Sequence, residues 1–163
     1  MTTILGIDPG LDGALVVLQQ TPLGWRCVAQ YLTADLCPHG YVPEQMDTAV
    51  STIIMDHRPI VAVLERVSSR PGEGVSSAFK FGVGWGLWRG ILAGRIGHVL
   101  EPAPAKWTRV VLRDIPGEGK ARAIARAAQL PGLNLTPGRR RRPHDGLADA
   151  ACLALYGGEQ RSL

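Results

Sequence analysis

Two short apolar runs each stop abruptly on a carboxylate. Thr3–Asp8 (TILGID) meets Pro9-Gly10 directly after Asp8, and Ile60–Glu65 (IVAVLE) sets Glu65 behind four apolar residues. A short unbroken apolar run is the pattern of a strand covered on both faces. Such a strand needs helices above and below its sheet. Gly13–Gln19 (GALVVLQ) lies close enough to pair with the first run as a hairpin, and Trp25–Leu32 supplies a third strand. Thr33–Val42 carries turn residues and a proline. Behind Pro43, the residues Met46, Val50, Ile53 and Ile54 recur at helical spacing across Glu44–His57. Ser68–Gly74 is a loop. Val75–Ile96 reads as a helix despite Gly82, Gly84, Gly86, Gly90 and Gly94, whose cost in helix propensity implies close helix packing. Gly97–Leu100 is a short strand and Ala103–Leu112 a helix. Lys120–Leu130 is a helix with Ala121, Ile124, Ala125 and Ala128 on one face, Pro131–Pro143 a loop, and Asp145–Tyr156 a closing helix. No repeat or composition break divides the chain. The expectation is a single α/β domain over residues 1–163, with a central mixed five-stranded sheet flanked by helices.

Composition narrows the class. With 163 residues, 45% hydrophobic and 20% charged, the chain is neither disordered, collagen-like nor a coiled coil. Its apolar runs are too short to span a bilayer, and residues 1–20 lack the basic, apolar and small-residue segments of a signal peptide. Cys27, Cys37 and Cys152 cannot all pair and lack the spacing of a zinc site, which suits a reducing, cytoplasmic setting.

In open α/β sheets ligands gather at the carboxyl ends of parallel strands, where Asp8 and Glu65 fall. Each alone has a plain explanation, a turn-starting aspartate and a glutamate surfacing at a strand end. Asp145 and Asp149 share a helix face by their spacing of four. Asp145, just after Pro143, serves equally as a helix cap. Asp149 is harder to dismiss, because it lies amid Leu147, Ala148, Ala150, Ala151 and Leu153. Four acids at such element ends make an oxygen-rich site for hard divalent cations, magnesium above all. Two such ions about 4 Å apart stabilise the attacking and leaving oxygens of an in-line phosphodiester displacement. Crowded carboxylates repel one another, so the metal-free site should take up protons or metal avidly. His144 reads either as an exposed residue beside a helix start or as the group that protonates the leaving oxygen or places the phosphate. It ranks behind the acids.

Charge points to the partner. Residues 1–65 hold two basic and seven acidic side chains, whereas residues 102–142 hold ten basic and two acidic, and 15 of the 18 cations are arginine. Arginine suits bidentate phosphate contact, and a basic half beside an acidic half suits a polyanion held next to a carboxylate cluster. Arg139, Arg140, Arg141 and Arg142 directly precede the Asp145 helix, and Arg122 and Arg126 share a helix face. Lys80 is a further candidate.

LGIDPG at Leu5–Gly10, VLERV at Val63–Val67, SAFKFG at Ser77–Gly82 and HDGLADA at His144–Ala150, in this order and with these gaps, resemble the RuvC family of Holliday-junction resolvases, or crossover junction endodeoxyribonucleases. The resemblance spans nearly the whole chain, and the HDGLADA form is closer to phage-type and divergent relatives. It implies a ribonuclease H-like fold, a homodimer, branched four-way DNA as partner, and symmetric cutting with magnesium or manganese that leaves 5′-phosphate and 3′-hydroxyl ends. It implies two ions per site and no small-molecule cofactor. By matched position, Asp8, Glu65 and Asp149 correspond to the metal-binding carboxylates and Asp145 to the remaining acid. The last acidic pair is spaced four apart here, against three in many bacterial relatives. Lys120 falls where the family carries a DNA-contacting basic residue, and Lys106-Trp107 resembles a block near the site. Trp85, Trp88 and Trp107 read as core or dimer packing, and the glycine-rich helix from Val75 as a dimer surface. Where bacterial relatives carry a junction-wedging aromatic, this chain has Ser68-Ser69-Arg70. A broader branched- or flap-DNA nuclease, or a ribonuclease H-type hybrid nuclease, would use the same carboxylates.

Overall fold

Successive residues of a strand point to opposite sides of its sheet, and here both sides are covered. The computed structural model describes residues 2–68, 72 and 74–161. Its sheet has five strands, β1 (Thr3–Asp8), β2 (Ala14–Thr21), β3 (Gly24–Leu32), β4 (Val61–Leu64) and β5 (Val99–Leu100), in the order β3-β2-β1-β4-β5. β1 runs antiparallel to β2 and β2 to β3, while β4 lies parallel to β1 and β5 to β4. Leu5 and Ile7, with Ala62 and Leu64, face one core with Met46, Val50 and Ile53 of α2 (Pro43–His57) and Trp88 and Leu92 of α3 (Val75–Ala93). Ile4 and Val63 face the other core. That core holds Trp107 and Val111 of α4 (Pro104–Val111), Ala123 and Ala127 of α5 (Gly119–Ala127), and the Leu147–Tyr156 stretch of α6 (Asp145–Arg161).

The small residues of α6 let it lie directly on the sheet. A Cβ on Gly6 would stand 2.0 Å from the Ala150 carbonyl oxygen and 2.6 Å from the Ala154 nitrogen, both backbone atoms. The expected end of this helix at Tyr156 is corrected: it continues to Arg161 through Gly157, whose Cβ would lie 2.7 Å from the Val63 methyl. Those two glycines serve packing, not termination. The expected turn region after β3 begins with a short helix, α1 (Thr33–Leu36). The other elements fall where the sequence pattern puts them, with ends shifted by one to three residues.

The close packing expected of Gly82, Gly84, Gly86, Gly90 and Gly94 is also corrected, and Gly94 lies beyond α3 as its C-cap. A Cβ on Gly84 would strike the Tyr41 ring at 2.3 Å, yet among the described residues nothing lies within 4 Å of that position at Gly82, Gly86 or Gly90. Cys27, Cys37 and Cys152 are buried free thiols. Among the described residues no helix is long and apolar enough to cross a membrane.

Candidate active site

Parallel pairing of β1 with β4 sets Ile7 beside Leu64, and the Glu65 amide donates to the Ile7 carbonyl at 3.2 Å. Asp8 and Glu65 follow those partners. They therefore leave neighbouring strands, about 4.8 Å apart, on the face opposite Ile7 and Leu64. That is the face α6 covers, and its close seat over Gly6 brings Asp149 above the same strand ends. Beyond Asp8 the chain turns tightly: Gly10 N–H approaches Asp8 Oδ1 at 3.4 Å, and Tyr41 Oη donates to the Pro9 carbonyl at 2.9 Å. Two indoles also hold Glu65. Trp107 Nε1 donates to Glu65 Oε1 at 2.8 Å, and Trp85 Nε1 donates to the Glu65 carbonyl at 3.0 Å.

The acids strain against one another electrostatically. Burial, followed by the charge of Glu65, pushes the Asp8 carboxyl up to about 6. Burial, then Asp8 and Glu65, pushes Asp149 up to about 7. The Lys120 ammonium opposes both shifts. Its Nζ pairs with Asp145 Oδ2 at 2.5 Å, and this hydrogen bond raises the lysine's own pKa. The pair is exposed, so it orients Lys120 more than it stabilises the fold. Among the described residues no three His, Cys, Asp or Glu side chains are drawn tightly enough together to grip one ion. The donor chemistry nonetheless fits a hard divalent cation, because mutually repelling buried carboxylates are relieved by a proton or a cation.

Three adjoining clefts cross this centre. The first, about 620 Å³, is lined by Asp8, Asp12, Lys120, Arg140, Arg142 and Asp149 among others. Asp149 and Lys120 also border a second, with Glu65, Trp107 and Arg122. Glu65 and Pro104 border a third, with Arg66 and Phe81. Together they form a track that is basic at its Arg140–Arg142 end and passes over the carboxylates.

Several expectations change at this point. His144 is not exposed. It is 7% accessible, its Nδ1 accepts the Leu147 N–H at 3.3 Å, and burial lowers its pKa. It caps α6, the role the sequence allowed for Asp145; Asp145 instead holds Lys120. Arg122 donates to the carbonyls of Ile115 and Leu112 and Arg126 to Gln129 Oε1 at 3.0 Å, so both guanidiniums are engaged within the protein. Lys106 and Lys80 are exposed but line none of these three clefts. Arg139 and Arg141 are exposed beside the two cleft-lining arginines. Ser68 is exposed, whereas Ser69 and Arg70 lie outside the described residues. The indole contacts to Glu65 and the presence of Asp12 in the cleft went unread in the sequence. The Lys106-Trp107 block was the available signal for the first, and the Gly10–Gly13 turn for the second.

No family model and no curated protein matches this chain. Solved structures do. A Thermus thermophilus RuvC in complex with a Holliday junction substrate aligns over 99% of this chain and 96% of its own, at TM-score 0.69 and 19% identity. A second Thermus thermophilus RuvC structure aligns over the same shares at TM-score 0.67 and 20% identity. The yeast mitochondrial Holliday junction resolvase aligns over 95% of this chain and 77% of its own, at TM-score 0.59 and 15% identity. The fold is thus the ribonuclease H-like one that the resemblance implied.

Proposed function

We propose that this chain is a structure-selective endodeoxyribonuclease that resolves four-way DNA junctions, hydrolysing one phosphodiester in each of two opposed strands to leave 5′-phosphate and 3′-hydroxyl ends. The observation that carries this reading is the convergence of Asp8, Glu65 and Asp149 at one end of β1, β4 and α6. It occurs on a fold that matches a junction-bound RuvC along 99% of the chain.

Each residue has a task in this reading. Arg140, Arg142 and Lys120 bind backbone phosphates along the track. Asp8, Glu65 and Asp149 would hold two magnesium ions, with manganese as a substitute. Bound there, such ions supply positive charge to the phosphate oxygens and acidify a water. Trp107 fixes the angle of the Glu65 carboxylate through its N–H. Asp145 lines the same cleft as Asp8 and Asp149, where it would add a further carboxylate, and it keeps the Lys120 ammonium over that cleft. His144 lines the same cleft and, through its Nδ1 contact with the Leu147 N–H, fixes the start of α6 beside the carboxylates.

A homodimer brings two such sites to one junction. Val75, Phe79 and Val83 recur every four residues on α3 with 87%, 72% and 45% of their surface exposed. The open glycines at 82, 86 and 90 let a second backbone approach. A helix apolar on nearly all sides is a buried helix, and a second copy of α3 would bury this one.

The test is cleavage of an end-labelled synthetic four-way junction with magnesium, beside duplex, flap and RNA–DNA hybrid controls and the Asp8→Asn chain. Paired, symmetric nicks on the junction, with binding but no cutting by Asp8→Asn, are the expected result. Full cutting by Asp8→Asn would remove the assignment. Cleavage of flaps or hybrids instead would move the function to the broader nuclease reading, which the non-aromatic Ser68–Arg70 segment favours.

A further inference from the structure

The buried stripe of α3 runs past the end of the sheet. Gly84, Trp88 and Leu92 are buried within the core, and the half-buried Trp85 beside them ties the helix to the Glu65 carbonyl at 3.0 Å. Counting back four residues at a time along this face gives Phe81 and Ser77. β4 has stopped at Leu64 by then. Phe81 and Ser77 instead wall a cleft of about 450 Å³, closed by Glu65, Arg66, Ser68 and Pro104 among others. The core stripe of the helix thus continues as one aromatic ring into the wall of this cleft.

The lining specifies what fits. Phe81 offers a π face that is half-exposed, Arg66 a guanidinium, and Ser68 and Ser77 two hydroxyls. Glu65 is the one acid among the described residues of the lining, and it also borders the adjoining cleft with Asp149. A π face for stacking, a cation for phosphate and short hydroxyls for base edges are the means by which proteins hold an unstacked nucleotide. Because Glu65 and Pro104 border both clefts, this one opens directly beside the carboxylates.

We infer that the cleft is a nucleotide subsite: Phe81 stacks on the base flanking the scissile phosphate, and Arg66 holds the phosphate beyond it. The inference rests on the proposed nuclease reading and adds to it the place where cutting-sequence preference is set. The Trp85 bond fixes α3 against Glu65, so the stacked base sits at a constant step from the cut. Every base has a π face, and bases differ in stacking strength. The subsite therefore grades sequences instead of demanding one.

The experiment places 2-aminopurine at the nucleotide next to the mapped cut and follows its fluorescence on binding to Asp8→Asn protein. The expected result is quenching that Phe81→Leu abolishes and Phe81→Trp restores. In the cutting-competent chain, Phe81→Leu should shrink the spread of rates among junctions differing only at that base by roughly tenfold. A thermal midpoint close to that of the parent shows that Phe81→Leu has folded. Quenching and rate spread unchanged in folded Phe81→Leu would overturn the subsite. A parent chain that cuts flaps and not junctions removes the junction reading alone, because the same fluorescence comparison is then made on the flap. A parent chain that binds neither DNA removes both.

Discussion

Asp8 and Asp149 keep their protons toward the neutral range because each is buried beside other acids. An acid whose folded pKa is raised adds stability that is complete below its unfolded value near 3.8. That stability is lost as pH rises through the folded value, about 6 for Asp8 and about 7 for Asp149. Above pH 7 the metal-free protein therefore carries a penalty on the order of a few kcal/mol. Asp149→Asn removes part of it: in chelator at pH 8 the variant should unfold at a higher urea midpoint than the parent, with the difference vanishing near pH 4. Equal midpoints at pH 8 would show that the repulsion is absent. His144 belongs to the same scale. His144→Ala leaves the Leu147 N–H without its side-chain acceptor and should cost about 1 kcal/mol. His144→Asn, which keeps an acceptor at the cap, should recover most of that loss in the same urea titration. Asp149 stood out in the sequence because an acid among Leu and Ala is conspicuous. The cap was hidden, because which ring nitrogen meets which N–H depends on how α6 enters the fold.

At the scale of elements, glycine has opposite meanings in two places. Gly6 is a contact: its missing Cβ is the space in which the α6 backbone lies. Gly6→Ala should cost about 3 kcal/mol or more, and by lifting α6 it should also separate Asp149 from Asp8. A Cβ on Gly86 would meet no other side chain or element within 4 Å among the described residues, so Gly86→Ala should add up to about 1 kcal/mol of helix propensity to the isolated protomer. Thermal unfolding of the two variants at low concentration checks both signs. The sequence shows both as a glycine within a periodic run and cannot separate them, since the difference lies in what packs opposite. β1 and β4 were legible for the converse reason: a run buried on both faces needs no partner to be named. The Trp107–Glu65 bond spans 42 positions, and no local pattern encodes a pairing at that distance. α1 was lost because four residues carry too little periodicity to register.

For the whole molecule the uneven charge becomes a binding law. Arg140, Arg142 and Lys120 share one cleft with Asp8 and Asp149, and each phosphate they neutralise contributes about 0.9 to the slope of log affinity against log salt. Replacing both Arg140 and Arg142 by alanine should reduce that slope by roughly 2 in junction-binding titrations while leaving the fold intact. An unchanged slope would place the backbone elsewhere. The exposed stripe of Val75, Phe79 and Val83 predicts self-association. Sedimentation should find the parent as a dimer and Phe79→Glu shifted toward monomer, and a monomeric parent at working concentration would remove the α3 interface.

The pairing of Ile7 with Leu64 has a further reach. Asp8 and Glu65 share a face because both strands leave the sheet at the same rung of the ladder. A single-residue deletion within Val61–Leu64 would turn the glutamate under α3, whereas the loop between Leu130 and His144 changes length without moving any rung. Insertions and deletions in the two strands are thus filtered by parity, since only compensated, even-numbered steps keep both acids on one face. What descent must preserve here is a register, and the letters that spell it are free to drift around the acids.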